Sequence, residues 1–476
     1  MRRSSMSNSL HKGLKMRHMT MIALGGTIGA GLFVGSGTVI RSVGPAAIVS
    51  YFLAGLLVVL IMRMLGEMAV ANPTLGSFAQ YARTALGDWA GFSVGWLYWF
   101  FWVIVLGIEA TASAAVLHSW LLPNVPQWLL STVPLILLTL TNLVSVRAYG
   151  EFEYWFAFIK VATIVLFLVV GGLFILGVWP ETHFSFENLT AHGGFAPHGV
   201  GVMFSGIITA VAAFIGAEIA TIAATESDEP RKSVAKATSS VIWRVLIFYV
   251  GSIFVVVTIV PWNNTQILKS PYVSVMNVLH IPSAGVIINI VVLVAVLSCL
   301  NSGIYTSSRM LYAMANRGEA PSRLLDVNSR GVPVKAILFC AIIAYITVIL
   351  AYVSPNAFAF LLNASGAVGL FIYLFIAVSQ FKMRRKLEQE APDKLIVKMW
   401  GFPYLTIICI LAMIGVFISM AYDADTRSQL ILSLISFVIV LAIYFIRAKL
   451  SLRRGGKSHP TNPDVVEDTE QENIFL

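Results

Sequence analysis

Twelve stretches of mainly apolar residues divide this chain, each of about the twenty residues an α-helix needs to cross a ~30 Å hydrocarbon core. They run Met19–Ile40, Ala46–Ala71, Trp89–Leu117, Pro126–Val146, Tyr154–Gly177, Val200–Ala224, Val241–Val260, Ala284–Ala313, Pro333–Val353, Ala357–Gln380, Phe402–Ala421 and Gln429–Ile446. The 476 residues are 58% hydrophobic and only 12% charged, with a mean hydropathy of +0.82, whereas a soluble domain carries roughly 25% charged residues. So few charges cannot cover a water-facing surface. The chain therefore reads as an all-α polytopic membrane protein, because in lipid every backbone group must find its partner inside the protein.

The net charge of +9 is a mark of topology, not of a nucleic-acid partner, since the basic residues lie in short clusters between apolar runs instead of on one face. Arg and Lys fill the N-terminus and the even-numbered connections: Arg83; Arg147; Arg231, Lys232 and Lys236; Arg317, Arg323, Arg330 and Lys335; and Lys382 to Lys398. The odd connections hold only Arg41, Lys269 and Arg427. By the positive-inside rule both termini are cytoplasmic, and a missing span would scramble the alternation. The basic start, with an apolar run too long for a signal peptide and no convincing cleavage site, is read as the first span. This gives a cytoplasmic segment 1–18, a transmembrane domain 19–447 and a polar cytoplasmic tail 448–476, expected to be disordered. Cys299, Cys340 and Cys409 lie far apart in apolar runs, without metal-ligand spacing.

The first span carries the sequence Gly25-Gly26-Thr27-Ile28-Gly29-Ala30-Gly31. Glycine weakens a helix, and a break in a membrane helix is tolerated only where it lines a cavity or is buried in protein. Five spans later Phe214-Ile215-Gly216-Ala217-Glu218 echoes Ile28-Gly29-Ala30. An odd offset inverts the second copy, and paired interruptions of this kind point to a midplane substrate site in secondary transporters. Close packing of small residues explains either run alone; the echo favours a site. Amides freed at a half-helix start can hold a carboxylate, and freed carbonyls an ammonium, a pair of ends that suits a zwitterion.

At these residues the chain resembles the amino acid–polyamine–organocation superfamily, and within it bacterial amino acid permeases. The resemblance covers about Leu14 to Arg447 through LKMRHMTMIALGGTIGAGLFVGSG, the GEM of Gly66-Glu67-Met68, GEFEYWFAFIKV, FIGAEIATIAATESDEP and SCLNSGIYTSSRMLYAMANRG. GWLYWFFWVIV, SVIWR and FYVGSIFVVV followed by PWN are similar to the γ-aminobutyrate permease group; Val43 departs from the smaller residue usual there. The resemblance implies a leucine-transporter-like inverted repeat of five plus five helices with two more appended, proton-coupled import, and a site between spans 1 and 6 flanked by spans 3 and 8. It also implies that the lysine of span 5, Lys160, places its ammonium where sodium-coupled relatives hold an ion.

Ionisable groups inside the membrane are functional candidates by default. Lys160 is so poorly solvated that it can bind and release a proton, with the span-1 carbonyls and Ser302, Thr306 and Ser307 of span 8 as expected neighbours; the competing reading is a lysine snorkelling to the interface. Glu218, just after the second break, either receives the substrate ammonium, shares in proton transfer, or bonds the unwound backbone. Glu109 in span 3 faces the substrate's distal amine or a buried polar partner. The substrate-site set is thus Thr27, Ile28, Gly29, Ala30, Gly31, Glu109, Phe214 as a lid, Gly216, Ala217, Glu218, Cys299 and Ser302, with Lys160 and Glu218 for proton coupling. Glu67 stands four residues after Arg63, an ion-pair spacing. Glu151 and Glu153 fall just outside span 5, and Glu226, Asp228 and Glu229 in a loop after span 6.

The expectation is a proton symporter of a small zwitterionic amino acid, γ-aminobutyrate foremost, in a bacterial inner membrane. It needs no cofactor, metal, nucleic acid or ATP-binding partner, since no phosphate-binding loop occurs. Proline, an aromatic or a cationic amino acid are alternative substrates, and a non-transporting sensor is the alternative role. An enzyme is not expected, because neither HExxH nor GxSxG is present.

Overall fold

The computed structural model describes residues 13–26, 28–29, 31–178, 185–268 and 270–453; the tail expected to be disordered lies almost wholly outside them. Among these residues nine helical runs are long and apolar enough to cross a membrane, and two shorter apolar helices, Val202–Ala212 and Leu246–Ile259, lie in the sixth and seventh spans. The longest run, Gly31–Ala71, would reach about 60 Å if straight, twice the hydrocarbon thickness. It bends at Gly44, whose φ of 76° favours glycine, before Pro45. It therefore holds the second half of span 1 and all of span 2.

The spans are span 1, Met16–Gly25 and Ser36–Val43; span 2, Ala47–Ala71; span 3, Asp88–Trp120; span 4, Gln127–Val144; span 5, Val146–Ile175; and span 6, Val202–Ala212 and Ile219–Ala223. The second set is span 7, Pro230–Ile259; span 8, Ala284–Asn316; span 9, Val334–Val353; and span 10, Pro355–Gly366 and Val368–Glu390. Span 11, Tyr404–Tyr422, and span 12, Ala424–Arg453, complete the twelve.

Most of the helix contacts recur when spans 1–5 are exchanged with spans 6–10, although the close packing of span 1 on span 5 has no counterpart of similar extent between spans 6 and 10. Span 3 packs on 8, 2 on 7 and 4 on 9, each pair being its own image; the contacts 3 with 9, 5 with 8 and 5 with 7 recur as 8 with 4, 10 with 3 and 10 with 2. Short connecting helices, Ser77–Leu86 before span 3 and Pro271–Val278 before span 8, repeat the correspondence. Because the offset is five, the copies run in opposite directions across the membrane, as expected of the repeat.

The start of span 1 and the end of span 12 lie on one face. Gly13 and Leu14 donate to Glu226 O at 3.0 and 3.2 Å, and Arg447, near the end of span 12, donates to Glu319 O at 2.7 Å. On this terminal face Glu226 is no solvated loop residue. It is 1% exposed and takes Arg309 Nε at 2.9 Å and Tyr305 OH at 2.8 Å, while Tyr305 stacks on Tyr149 of span 5 at 4.1 Å. Removing one partner of such a buried pair leaves an uncompensated charge and costs about 3–5 kcal/mol. Glu226→Ala should therefore unfold at markedly lower temperature in detergent, followed by tryptophan fluorescence; an unchanged midpoint contradicts this.

The spacing of Arg63 and Glu67 does not translate into a pair. Arg63 donates to Lys398 O at 2.8 Å and lies over Trp400. Glu67 is buried and bound instead by Arg384 at 2.7 Å, Gln380 Nε2 at 2.9 Å and Met399 N at 2.5 Å. That network ties span 2 to span 10 and to the segment before span 11.

Candidate functional site

Both broken spans depart from the helical ladder. The first helix of span 1 ends at Gly25, with Gly26 N bonded to Ile22 O at 2.9 Å, and the chain re-enters through a π turn, Gly31–Gly35, a geometry frequent at functional sites. Thr27 and Ala30 lie outside the described residues. In span 6 the helix loosens after Ala212, and Gly216 adopts φ 117°. The breaks meet backbone to backbone: a Cβ on Gly216 would fall 2.2 Å from Gly26 O, and one on Gly31 3.2 Å from Ala213 Cβ. Gly29, in contrast, faces open space.

Lys160 crosses to this junction from span 5. It is fully buried, not at the interface, and its ammonium donates to Gly25 O at 2.6 Å, Ile28 O at 2.8 Å and Ser298 Oγ at 2.9 Å. Three donors meet three acceptors, the full capacity of an ammonium. The carbonyls freed by the break are thus held by a cation. The span-8 neighbour is Ser298, one turn from the expected Ser302, whose hydroxyl lies 3.5 Å from Tyr149 OH.

Glu153, expected outside span 5, lies within it and is fully buried. Ser298 Oγ donates to its Oε1 at 2.5 Å and Asn301 Nδ2 to its Oε2 at 3.3 Å. Glu151, on the other side of the helix, pairs with Arg17 near the chain start. The helix of span 5 starts ahead of its apolar run because Ser145, at the end of the fourth apolar run, caps it through Ala148 N at 3.0 Å, and its first turns hold the polar Arg147, Glu151 and Glu153. The signal for Glu153 was its position seven residues before Lys160, two turns along one face.

Glu218 is buried at the second break and already carries three donors: Tyr98 OH at 2.9 Å, Tyr373 OH at 3.1 Å and Gly216 N at 3.0 Å. It fastens the unwound backbone to spans 3 and 10. The Phe214 ring lies 4.2 Å from that of Tyr249 and 6.4 Å from that of Tyr51, so in this structure it packs among spans 2, 6 and 7. Ala217 is buried beside it.

Glu109 and Cys299 come together where spans 3 and 8 cross, near enough to Lys160 to interact electrostatically. Glu109 Oε2 is inaccessible and has no hydrogen-bond partner among the described residues. Further along the same two spans a groove of about 260 Å³ is lined by Val34, Ala115, Ser119, Ile288 and Asn289, among others. It lies at the ends of spans 3 and 8 remote from the start of span 1 and the end of span 12.

The amino acid permease family model matches residues 18–455. This chain belongs to the amino acid permease family. It is 52% identical to the γ-aminobutyric acid permease of Bacillus subtilis, over 96% of this chain and 99% of that protein. It is 40% identical to an aromatic amino acid transport protein of Corynebacterium glutamicum, over 94% and 98%. Among solved structures, a manganese transporter mutant of Eremococcus coleocola aligns with a TM-score of 0.55 over 94% of this chain and 99% of that one, at 15% identity; that likeness concerns the fold alone. The protein is a multi-pass membrane permease for amino acids.

Proposed function

We propose that this permease imports γ-aminobutyrate across a bacterial plasma membrane in symport with a proton, by alternating access around the junction of spans 1 and 6. The observation that carries the reading is the unpartnered, buried Oε2 of Glu109. A carboxyl in a membrane interior calls for partners; the Cys299 thiol and the Lys160 charge lie beside Glu109, and a substrate ammonium would take the oxygen they leave bare. The substrate carboxylate goes to the amides at the start of the second half of span 1, aided by the helix dipole. A γ-amino acid carries its charges at opposite ends of a flexible chain and can reach both. An α-amino acid carries both on one carbon. The 52% identity to a protein named for γ-aminobutyrate supports this choice over the aromatic substrate named for the more distant relative.

Lys160 is the coupling group in this reading, and the proton is the only co-substrate; no cofactor, metal or nucleotide is required. The basic even-numbered connections support cytoplasmic termini.

The test is uptake of labelled γ-aminobutyrate, proline, phenylalanine and arginine into proteoliposomes, with and without an acid-outside gradient. γ-Aminobutyrate should accumulate above equilibrium only with the gradient. Glu109→Gln should raise its half-saturating concentration by roughly thirtyfold or more, as loss of a buried charge partner does. Preferred accumulation of another substrate, or accumulation indifferent to pH, overturns the reading. Binding without flux indicates a sensor.

A further inference from the structure

Glu153 is a buried carboxyl group that substrate binding does not employ, and its surroundings give it a direct connection to Lys160. Lys160 Nζ donates to Ser298 Oγ at 2.9 Å, and Ser298 donates its single hydroxyl proton to Glu153 Oε1 at 2.5 Å. The sense of donation is fixed: an ammonium only donates, an ionised carboxylate only accepts, and the hydroxyl does one of each. This is a proton wire of three heavy atoms. We propose that Glu153 takes the proton of Lys160 through Ser298 and is the group from which it leaves toward the face that holds the start of span 1 and the end of span 12. The inference rests on Lys160 being the coupling group.

The step balances. The Lys160 N–H bond breaks as its proton passes to Ser298 Oγ, and the Ser298 O–H bond breaks as its proton passes to Glu153 Oε1. An ammonium and a carboxylate become a neutral amine and a neutral acid, with no other reactant. Afterwards the acid donates to Ser298, and Ser298 donates to the lone pair of Lys160. The two remaining N–H groups stay on Gly25 O and Ile28 O. No hydrogen bond is lost, so the transfer leaves no buried polar group unsatisfied, which would cost about 1–3 kcal/mol.

Release is gated by the first half of span 1. A Cβ on Gly25 would lie 2.8 Å from Glu153 Oε1, so Met16–Gly25 covers the carboxyl, and Glu153 meets water only when that helix moves off span 5. The groups facing this wire are Glu109 and Cys299 beside Lys160, Asn301 and Ser302 of span 8 beside Glu153, and Tyr149, whose ring links to Tyr305, Arg309 and Glu226. Among these, Glu153 is the carboxyl that shares a hydroxyl with Lys160.

The experiment compares the parent, Glu153→Gln, Glu153→Asp, Ser298→Ala and Lys160→Ala in proteoliposomes holding a pH-sensitive dye. It measures γ-aminobutyrate-driven proton influx and, separately, exchange of labelled for unlabelled γ-aminobutyrate at equal pH. Glu153→Gln and Ser298→Ala should lose roughly tenfold or more of proton influx, the scale of a lost acid–base group, with a far smaller loss of exchange, and Glu153→Asp should recover part of the influx. Parental influx in Glu153→Gln overturns the relay. Equal loss of exchange and influx also overturns it, since a structural strut would behave that way. If Lys160→Ala retains pH-driven uptake, the coupling assignment itself falls; if Lys160→Ala loses it while Glu153→Gln retains it, only the relay falls.

Discussion

Gly216→Ala is expected to abolish transport. At φ 117° any side chain strains the backbone by about 1–3 kcal/mol, and here the added Cβ would sit 2.2 Å from Gly26 O. The obstacle is backbone, which cannot swing aside as a flexible side chain would, so the two breaks must separate. The displacement reaches the carbonyls on Lys160, because Gly26 lies between Gly25 and Ile28, and it reaches Glu218, which accepts from Gly216 N. Uptake of γ-aminobutyrate into proteoliposomes should fall by roughly a hundredfold or more, the scale on which a misplacement of about 1 Å disables a positioned site. Gly172→Ala is the comparison, since a Cβ there meets nothing within 4 Å and alanine favours a helix; its uptake should match the parent. A Gly216→Ala protein that elutes as a single species and transports at the parental rate would show that the breaks need not touch.

The twelve spans and the two breaks were legible in the sequence because both follow from local rules. Span length is set by lipid thickness, and glycine runs interrupt helices wherever they occur. Lys160 was legible for the same reason, as a charge in an apolar window. What the sequence hid depends on contacts between residues far apart in the chain. Glu218 is held by Tyr98 and Tyr373, and no spacing rule joins residues 120 and 155 positions away. Glu67 offered a local partner in Arg63, yet the fold sends Arg63 to Lys398 and brings Arg384 to Glu67. Phe214 sits beside the break in sequence, but its direction from the backbone carries it toward Tyr51 and Tyr249. Hydropathy also misses helix ends lying beyond the lipid, and so it left Glu153 outside a helix that in fact begins at Val146. The substitution of Ser298 for Ser302 is a smaller error of the same kind, since four residues on a helix advance one turn along the same face.

Lys160→Ala should uncouple the permease, and the geometry states why exchange and accumulation should part. The substitution removes three donors at once and strands Gly25 O, Ile28 O and Ser298 Oγ. Buried acceptors left bare cost about 1–3 kcal/mol each, so the variant should also be less heat-stable, and its unfolding must be measured beside its transport. Water can enter the space of the missing side chain and bond the two carbonyls, which preserves the break and allows substrate to be exchanged. It carries no fixed positive charge, so the ammonium that hands its proton through Ser298 to Glu153 is gone from the cycle. Accumulation driven by an acid-outside gradient should then fall to the equilibrium level, while exchange at equal pH persists at a reduced rate. Lys160→Met, which keeps most of the volume without the charge, separates the two contributions. It should restore heat stability more than it restores pH-driven uptake. If Lys160→Met drives accumulation as the parent does, the ammonium serves only to brace the first break, and the proton must enter the cycle at another group.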